Sequence, residues 1–264
     1  MAYEIPEGFP SPEDGRVALL GDTHANTDWV LRVIKALAAD GIKTVVQLGD
    51  FGWWPQLAFA RKVSRDAQKA GVQVLFLDGN HEHHLNLRKS ARNADPQCDN
   101  GRPVQLHPDL WYLPRGCAWQ WGTTKFRALG GAFSVDRPFR ISGKTWFIEE
   151  LPSDEDLQRA IDAGPTDVLL CHDYPALGYH LPSTLDIDEE LDRISRLVQE
   201  RLAEVAEAIQ PRLVVHGHWH RRYTTQQQGI TIEGLNCDNT AGAALILDVD
   251  TLETKDWSTP VSRR

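Results

Sequence analysis

Residues 213–220, with the sequence Leu-Val-Val-His-Gly-His-Trp-His, constrain this chain more than any other stretch. Branched apolar residues are typical of a buried strand, and here the strand runs directly into histidines at alternate positions. His218 and His220 follow the apolar run, so both side chains can leave one strand end toward the same cleft. Neutral imidazole is the commonest side-chain ligand of transition metals. Two histidines cannot hold a catalytic metal alone, so carboxylates from elsewhere in the chain are expected to join them.

Four further apolar runs also end in side chains that can bind metals. They are residues 17–20 before Gly21-Asp22-Thr23-His24, 44–48 before Gly49-Asp50, 72–77 before Asp78-Gly79-Asn80-His81-Glu82, and 168–171 before His172-Asp173. Apolar residues at helical spacing separate the first three runs, and this strand–helix alternation predicts a parallel sheet with right-handed crossovers. In such sheets the ligand site lies beyond the carboxyl ends of the strands, where all of these motifs fall.

The remaining segments are expected to complete one α/β domain over residues 1–264. Residues 1–15 are rich in proline, glutamate and glycine and are predicted to be an irregular lead-in. Further strands are predicted near residues 110–113, 117–121 and 125–131, and helices near 153–163 and 188–209. The last four strand candidates, which predict an antiparallel meander, lie at 221–226, 229–235, 243–249 and 253–257.

The formal net charge of −9, without a long run of lysine or arginine, argues against broad, non-specific binding to nucleic acid or anionic membranes. A nucleic acid partner would need a local basic groove, which the charge does not indicate. The four cysteines show no CxxC spacing and are predicted to be reduced thiols. The N-terminus does not resemble a signal peptide, and no stretch approaches the roughly 18 to 20 apolar residues of a membrane span. We therefore expect a cytoplasmic protein with no membrane partner.

The residues just past the strands offer carboxylate, amide and imidazole ligands. They are Asp22, His24, Asp50, Asn80, His81, His172, His218 and His220. This mixture suits manganese, which we favour, or iron, zinc, cobalt or nickel, and it does not suit calcium or a cysteine-rich structural zinc site. The set is too large for one four-coordinate metal but is about right for two divalent transition-metal ions that share a carboxylate. Paired metals roughly 3.5 to 4 Å apart are the usual device for phosphoester displacement.

In this order the motifs resemble the DxH, GD, GNH[DE], H and GHxH series of the calcineurin-like metallophosphoesterase superfamily. Here they read Asp22-Thr23-His24, Gly49-Asp50, Gly79-Asn80-His81-Glu82, His172 and Gly217-His218-Trp219-His220. Any one of these motifs is weak, but five in order, each at a strand end, are specific. The resemblance implies an α/β fold of two facing mixed β-sheets flanked by helices, a four-layer α/β/β/α sandwich.

The resemblance also implies a role for each motif residue. The implied ligands are Asp22, His24 and His220 on the first metal, Asp50 as the bridge, and Asn80, His172 and His218 on the second metal. His81 would be the catalytic imidazole, which protonates the leaving oxygen or stabilises charge on the transferred phosphoryl group. The implied reaction is hydrolysis of a phosphate ester by a water that two metals activate.

One departure from the family bears on the substrate. The protein serine/threonine phosphatases carry GDxVDRG, whose second aspartate orients the catalytic histidine and whose arginine grips phosphate. Here the run is Gly49-Asp50-Phe51-Gly52-Trp53-Trp54, so a protein phosphatase is disfavoured and the sequence does not reveal the group that orients His81. Phosphate contacts are predicted instead from Arg137 or Arg140, in the loop that begins with Gly130-Gly131.

Several neighbours of the motifs have more than one interpretation. Trp53 and Trp54 are expected to pack in the interior, with stacking on a nucleobase at the cleft rim as the alternative. His216 lies within the strand and is predicted to be buried rather than a ligand. His83 and His84 are expected at the surface of the next helix.

Three function classes remain open on the sequence. A dinuclear-metal phosphoesterase is favoured, and a phosphodiester or nucleotide substrate is favoured over a phosphomonoester. A nuclease of the same fold would need a basic track, and a non-catalytic scaffold would be expected to have lost ligands, whereas this chain retains all of them. We therefore expect a hydrolase that acts on a small phosphoester or nucleotide. The oligomeric state is not predicted.

Overall fold

The computed structural model describes residues 5–178 and 187–258. In these ranges, two mixed β-sheets lie face to face. The first contains, in spatial order, β13 (Thr254–Asp256), β12 (Ala244–Asp248), β1 (Arg16–Leu20), β2 (Thr44–Leu48), β3 (Gln73–Leu77), β5 (Leu110–Tyr112) and β4 (Val104–His107). The second contains β10 (Tyr223–Gln227), β11 (Ile230–Gly234), β9 (Leu213–His216), β8 (Val168–Cys171), β7 (Thr124–Leu129) and β6 (Cys117–Trp121).

Helices cover the outer face of each sheet. The first sheet carries α1 (Thr27–Ala39), α2 (Ala58–Ala70) and α3 (His84–Ala94), and the second carries α4 (Asp154–Asp162) and α5 (Glu189–Ile209). The resulting four layers confirm the predicted α/β/β/α sandwich. Within the described ranges, no helix combines the length and the apolar character that a membrane span requires.

The alternation of side chains along β1 shows why the central strands are apolar throughout. Val17 and Leu19 point into the core between the two sheets, whereas Ala18 and Leu20 point into the core under α1 and α2. All four are at most 2% exposed. Strands that are buried on both faces read as continuous apolar runs, and this is the pattern from which they were predicted.

Side chains cap the starts of two helices. The Asn26 side chain accepts a hydrogen bond from the backbone of Trp29 and caps α1. Ser153 and Asp156 form a reciprocal capping box at the start of α4, with each side chain bonded to the other residue's backbone N–H. The Asn26 cap fixes the direction in which α1 leaves the first motif.

The predicted meander at the end of the chain is wrong in its pairing. The β10–β11 hairpin joins the second sheet, where β11 is parallel to β9. The chain then crosses to the first sheet, where β12 pairs antiparallel with β1 and β13 closes the edge. This crossing places Leu245 and Leu247 in the core between the sheets. Burying these side chains by pairing β12 with β1 stabilises the fold more than pairing β12 with its hairpin neighbour β11 would. No pattern in the sequence predicted β4.

Candidate metal centre

The predicted ligands lie where the carboxyl ends of both sheets meet. The loops after β1, β2 and β3 of the first sheet and after β8 and β9 of the second carry Asp22, His24, Asp50, Asn80, His172, His218 and His220. Backbone hydrogen bonds join these loops: His24 N–H donates to Asp50 O at 2.8 Å, and Gly217 N–H donates to His172 O at 3.1 Å. We call the space between these loops the cleft.

Three overlapping groups of side chains bring their ligand atoms within 4.8 Å of one another. The groups are Asp22 with His24 and His220, His24 with Asp50 and His81, and Asp22 with Asp50 and His172. Both aspartates are at most 1% exposed, and each belongs to two of the groups. Among the described residues His218 joins none of these groups, although its ring centroid lies 5.1 Å from that of His172.

The contacts of His172 show that this cluster fits a cation. Its Nδ1 lies 2.7 Å from the carbonyl oxygen of Leu48, which can only accept, so Nδ1 carries a proton. Its Nε2 faces Asn80 Oδ1 at 3.1 Å and Asp50 Oδ1 at 3.4 Å. Burial acts to lower the pKa of His172, but the Asp50 and Asp22 carboxylates raise it, so without a metal a proton on Nε2 can bridge to these oxygens. In the neutral imidazole that metal ligation needs, this nitrogen is an acceptor, and three acceptors then converge in a buried space. A divalent metal among them would satisfy all three, and the Leu48 carbonyl is the outer partner that a metal-bound imidazole usually has.

A buried chain of hydrogen bonds fixes the amide of Asn80. Its Nδ2 donates to Ser134 Oγ at 3.0 Å, and the Ser134 hydroxyl donates to Glu150 Oε2 at 2.5 Å. Glu150 also accepts Ser134 N–H and Trp146 Nε1–H, both at 2.9 Å. Since the hydroxyl proton goes to Glu150, Ser134 can only accept from Asn80, and the amide oxygen is left facing the cluster. Sequence reasoning missed Ser134 and Glu150, which lie in no motif.

The other side of the cluster is built around Asp22. His220 Nε2 lies 2.9 Å from Asp22 Oδ2, and His24 Nε2 lies 4.0 Å from the same oxygen and 3.5 Å from Asp50 Oδ2. The second oxygen, Asp22 Oδ1, accepts the backbone N–H of His218 at 2.9 Å. One carboxylate oxygen therefore holds the His218 loop, and the other faces the two histidines.

The electrostatics of the cluster favour bound positive charge. Burial acts to lower the pKa of His24 and of His220, but contacts to the Asp50 and Asp22 carboxylates outweigh it and raise these values to about 9 and about 10. Burial acts to raise the pKa of Asp50, whereas the surrounding histidines hold it well below its usual range. Metal ligation needs neutral imidazole, so a metal would displace protons that the carboxylates hold on the histidines.

Four of the predicted ligands have left-handed backbone conformations. Their φ angles are 45° at His24, 55° at Asp50, 65° at His218 and 48° at His220. This conformation costs a residue with a Cβ roughly 1 to 2 kcal/mol. Such strain concentrates at functional sites, where the surrounding structure holds it. The sharp turns aim the side chains into the cleft.

Two motif glycines leave room for the carboxylates. A Cβ on Gly79 would overlap the Asp50 carboxylate and backbone nitrogen, and a Cβ on Gly217 would overlap the Asp22 carboxylate. The buried Glu82 ties the neighbouring loops together, because its oxygens accept Gly52 N–H at 3.0 Å and Gly79 N–H at 2.6 Å. These close approaches give a physical reason for the two glycines and for Glu82, the acid that ends the third motif.

His81 lies on the open side of the cluster, where Arg140 covers its ring. Nη2 of Arg140 lies 2.7 Å from His81 Nδ1 and in closer contact with Nε2. The same guanidinium donates from Nε to Asp136 Oδ2 at 2.8 Å and from Nη1 to Asn80 O at 3.2 Å. The backbone N–H of His81 donates to Asp50 Oδ1 at 2.8 Å. Arg140 is therefore the group in contact with His81 that the sequence did not reveal.

The two arginines that were predicted to contact substrate occupy different positions. The Arg140 side chain is only 6% exposed and lies in the cleft. Arg137 is exposed, and its guanidinium lies 4.2 Å from the centroid of the Trp146 ring. Burial and the positive charge of Arg140 lower the pKa of His81, while the Asp50 carboxylate opposes them.

Packing decides between burial and nucleobase stacking for Trp53, but not for Trp54. Trp53 is 1% exposed, lies nearly parallel to Phe76 and donates from Nε1 to Asn86 Oδ1 at 3.0 Å, so its packing role is confirmed. Trp54 is half-buried and meets His83 edge to face at 6.0 Å between ring centroids. A stacking role at the rim stays a prediction for Trp54 alone.

The burial of the histidines next to the motifs was predicted correctly for His216 and incorrectly for His84. His216 is buried as predicted, with Nδ1 2.9 Å from Gly217 O and Nε2 2.5 Å from the Tyr223 hydroxyl, so both ring nitrogens have protein partners. The expectation of a surface position is wrong for His84, which is 1% exposed with Nδ1 3.7 Å from Asp78 Oδ2. His84 lies on the inward side of the first turn of α3, next to Asp78, whereas Leu85 in the same turn is exposed.

Comparisons with known proteins agree with this geometry. The family model described as calcineurin-like phosphoesterase matches residues 15–222. No curated protein sequence matches the chain significantly. The structure of TT1561 of Thermus thermophilus is similar at 12% identity, with a TM-score of 0.59 over 93% of this chain and 99% of that one. A structure described as a novel archaeal phosphodiesterase shares 12% identity over 92% and 98% of the chains, with a TM-score of 0.44.

The structural similarity to TT1561 supports the fold alone, because the identity is low. The family model carries more weight, since it covers most of the chain and contains every motif from Asp22 to His220. The chain therefore belongs to the calcineurin-like phosphoesterase family.

Proposed function

We propose that this protein is a metal-dependent phosphoesterase that hydrolyses a phosphate ester with two divalent transition-metal ions, of which manganese is favoured. The observation that carries the proposal is the convergence of three acceptors: Nε2 of His172, Oδ1 of Asn80 and Oδ1 of Asp50. Their fit to a cation, together with the family of the chain, supports a hydrolase acting on ester bonds.

The proposed ligand sets combine the groups in the cleft with the family motifs. They are Asp22, His24 and His220 for the first metal, Asp50 for both, and Asn80, His172 and His218 for the second. His218 is assigned from its motif, since it joins none of the three groups. When bound, such a pair would supply Lewis-acid activation of water and of the phosphoryl group. The protein's own contribution is to hold these ligands in strained, oriented conformations before the substrate arrives.

His81 and Arg140 are proposed to act on the substrate directly. His81 would give a proton to the leaving oxygen or stabilise charge on the transferred phosphoryl group. Arg140 would bind a phosphoryl oxygen through a charge-assisted hydrogen bond. Arg137, at the rim over Trp146, stays a weaker candidate for a contact with an outer part of the substrate.

A phosphodiester or nucleotide substrate is favoured over a phosphomonoester. A diester carries one negative charge where a monoester carries up to two, and Arg140 is the one arginine that contacts His81 in the described part of the chain. The half-buried Trp54 near the rim offers an aromatic surface to a leaving group such as a nucleoside. We further propose a small-molecule substrate and a cytoplasmic location, in keeping with the net charge of −9 and the lack of CxxC spacing among the four cysteines.

A paired rate assay tests this proposal. Purified protein with manganese would be given an aryl phosphate monoester and the matching bis-aryl diester, each with and without a chelator. We expect chelator-sensitive hydrolysis that is faster for the diester. Faster hydrolysis of the monoester would identify a phosphatase instead, and metal-bound protein inactive on both would contradict a broad phosphoesterase activity.

A further inference from the structure

The loop after β11 closes against the candidate metal centre from outside the residues that match the family. Asp238 N–H donates to Asp22 O at 2.9 Å, and Gly21 N–H donates to Ala243 O at 2.9 Å. These bonds fasten the middle and the last residue of the loop to Asp22 and to the glycine before it. The family model ends at residue 222, so no motif considered above includes this loop.

The carboxylate of Asp238 is held in one orientation. Its Oδ2 accepts Asn26 Nδ2–H at 2.5 Å and Asn239 Nδ2–H at 2.8 Å. Its Oδ1 lies 3.5 Å from His24 Nδ1. The side chain is 16% exposed, so solvent competes little for these contacts. Asn26 is itself fixed as the cap of α1, and this leaves Oδ1 free to face His24.

The two nitrogens of His24 therefore face different partners. Nε2 faces the metal-side carboxylate oxygens of Asp50 and Asp22, at 3.5 and 4.0 Å. Nδ1 faces Asp238. An imidazole that offers one nitrogen to a metal must carry its proton on the other, where a carboxylate both fixes the ring and increases its basicity.

We propose that Asp238 is the positioning residue of the first metal, accepting the Nδ1 proton of His24 so that Nε2 is directed at the cation. This inference rests on the metal centre proposed above. One residue of this loop thus supplies an outer partner to a histidine of the first metal, whereas the second metal relies on the Leu48 carbonyl and on Ser134.

Isothermal titration of metal-free protein with Mn²⁺ tests this assignment. The variant is Asp238→Asn, which keeps the shape of the side chain. In either orientation of the new amide, its NH₂ group faces another donor, either the Nδ1–H of His24 or the side-chain NH₂ of Asn26. We expect wild-type protein to bind two ions, and the variant to bind one of them about 10- to 100-fold more weakly with the other unchanged. Thr240→Ala is the control, because it removes a loop hydrogen bond to Cys237 O without touching the carboxylate.

A second readout separates positioning from loop stability. In protein loaded with Zn²⁺ and labelled with ¹⁵N-histidine, the Nδ1 proton of His24 should give a downfield resonance that is lost in Asp238→Asn and kept in Thr240→Ala. Equal metal affinities in wild type and Asp238→Asn, or equal losses in Asp238→Asn and Thr240→Ala, would overturn the assignment. Wild-type protein that binds no metal would instead overturn the proposed function.

Discussion

The guanidinium of Arg140 lies against the imidazole of His81, with Nη2 2.7 Å from Nδ1, although 59 positions separate the two residues in the chain. Asp136 and the Asn80 carbonyl hold the guanidinium in place. The contact puts a fixed positive charge beside the residue proposed to protonate the leaving oxygen. A phosphoryl group that approaches His81 must therefore meet Arg140 as well.

Replacing Arg140 by alanine is expected to lower kcat/KM about 10- to 100-fold, because a hydrogen bond to a charged group contributes about 1.5 to 3 kcal/mol. The metal content should not change, since Arg140 touches Asn80 only through its backbone carbonyl. Steady-state kinetics with the better of the two aryl substrates measures the effect. Lys144→Ala, which removes an exposed cation from the same loop, should leave kcat/KM unchanged. Equal effects of the two substitutions would argue against a specific role for Arg140.

Replacing His81 by asparagine is expected to lower kcat by about 10²- to 10⁴-fold, the usual contribution of a general acid. Metal binding should survive, because His81 holds the Asp50 carboxylate through its backbone N–H, which the substitution keeps. Metal analysis of the purified variant and its kcat with manganese are the two measurements. Loss of the metals together with the activity would refute the division of roles between His81 and the ligands.

Replacing Asp50 by asparagine is expected to remove both metals, because this carboxylate belongs to the groups on both sides of the cluster. The amide keeps the size of the side chain but lacks the charge, and one of its two polar atoms can no longer accept. Metal content after dialysis at a fixed free manganese concentration reports the outcome. Asp99→Asn, at an exposed ion pair with Arg92, is the matched control. A fully occupied Asp50→Asn protein would contradict the bridging role.

The central fold was predictable because five apolar runs are buried on both faces and end in motifs. Local patterns of this kind do not depend on distant partners. The pairing of the chain's last strands does depend on them: nothing within residues 221–257 reveals that β12 leaves its hairpin neighbours to pair with β1. The sequence therefore predicts the strands of this region but not the sheet to which each belongs.

That the candidate ligands lie close together was predictable for the same reason, since motif order and strand ends coincide. What the sequence could not predict are contacts that form only when distant loops meet. Arg140 on His81, Ser134 on Asn80 and Asp238 near His24 are all of this kind. The sequence also does not predict the left-handed backbone conformation at Asp50, because the surrounding structure, and not the residue type, holds the backbone there.

The buried His84 predicts a dependence of stability on pH. Burial lowers its pKa to about 3, and Arg115 and Arg88 add to the effect while the Asp78 carboxylate opposes it. The ring is therefore neutral in the folded protein, whereas in the unfolded chain it takes up a proton near its ordinary pKa of about 6.5. Its contribution to the free energy of unfolding is complete above that pH and is lost as the pH falls below it.

Between about pH 7.5 and pH 5.5, this one group should lower the free energy of unfolding by about 1 kcal/mol. His84→Leu removes the titration, fills a similar volume and leaves Asp78 bonded to Arg115 and to the Tyr112 hydroxyl. Urea unfolding of both proteins with excess chelator, at the two pH values, gives the comparison. The wild-type loss should exceed that of the variant by this amount, because the other buried histidines titrate in both proteins. Parallel pH profiles would mean that His84 is protonated, and paired with Asp78, in the folded state.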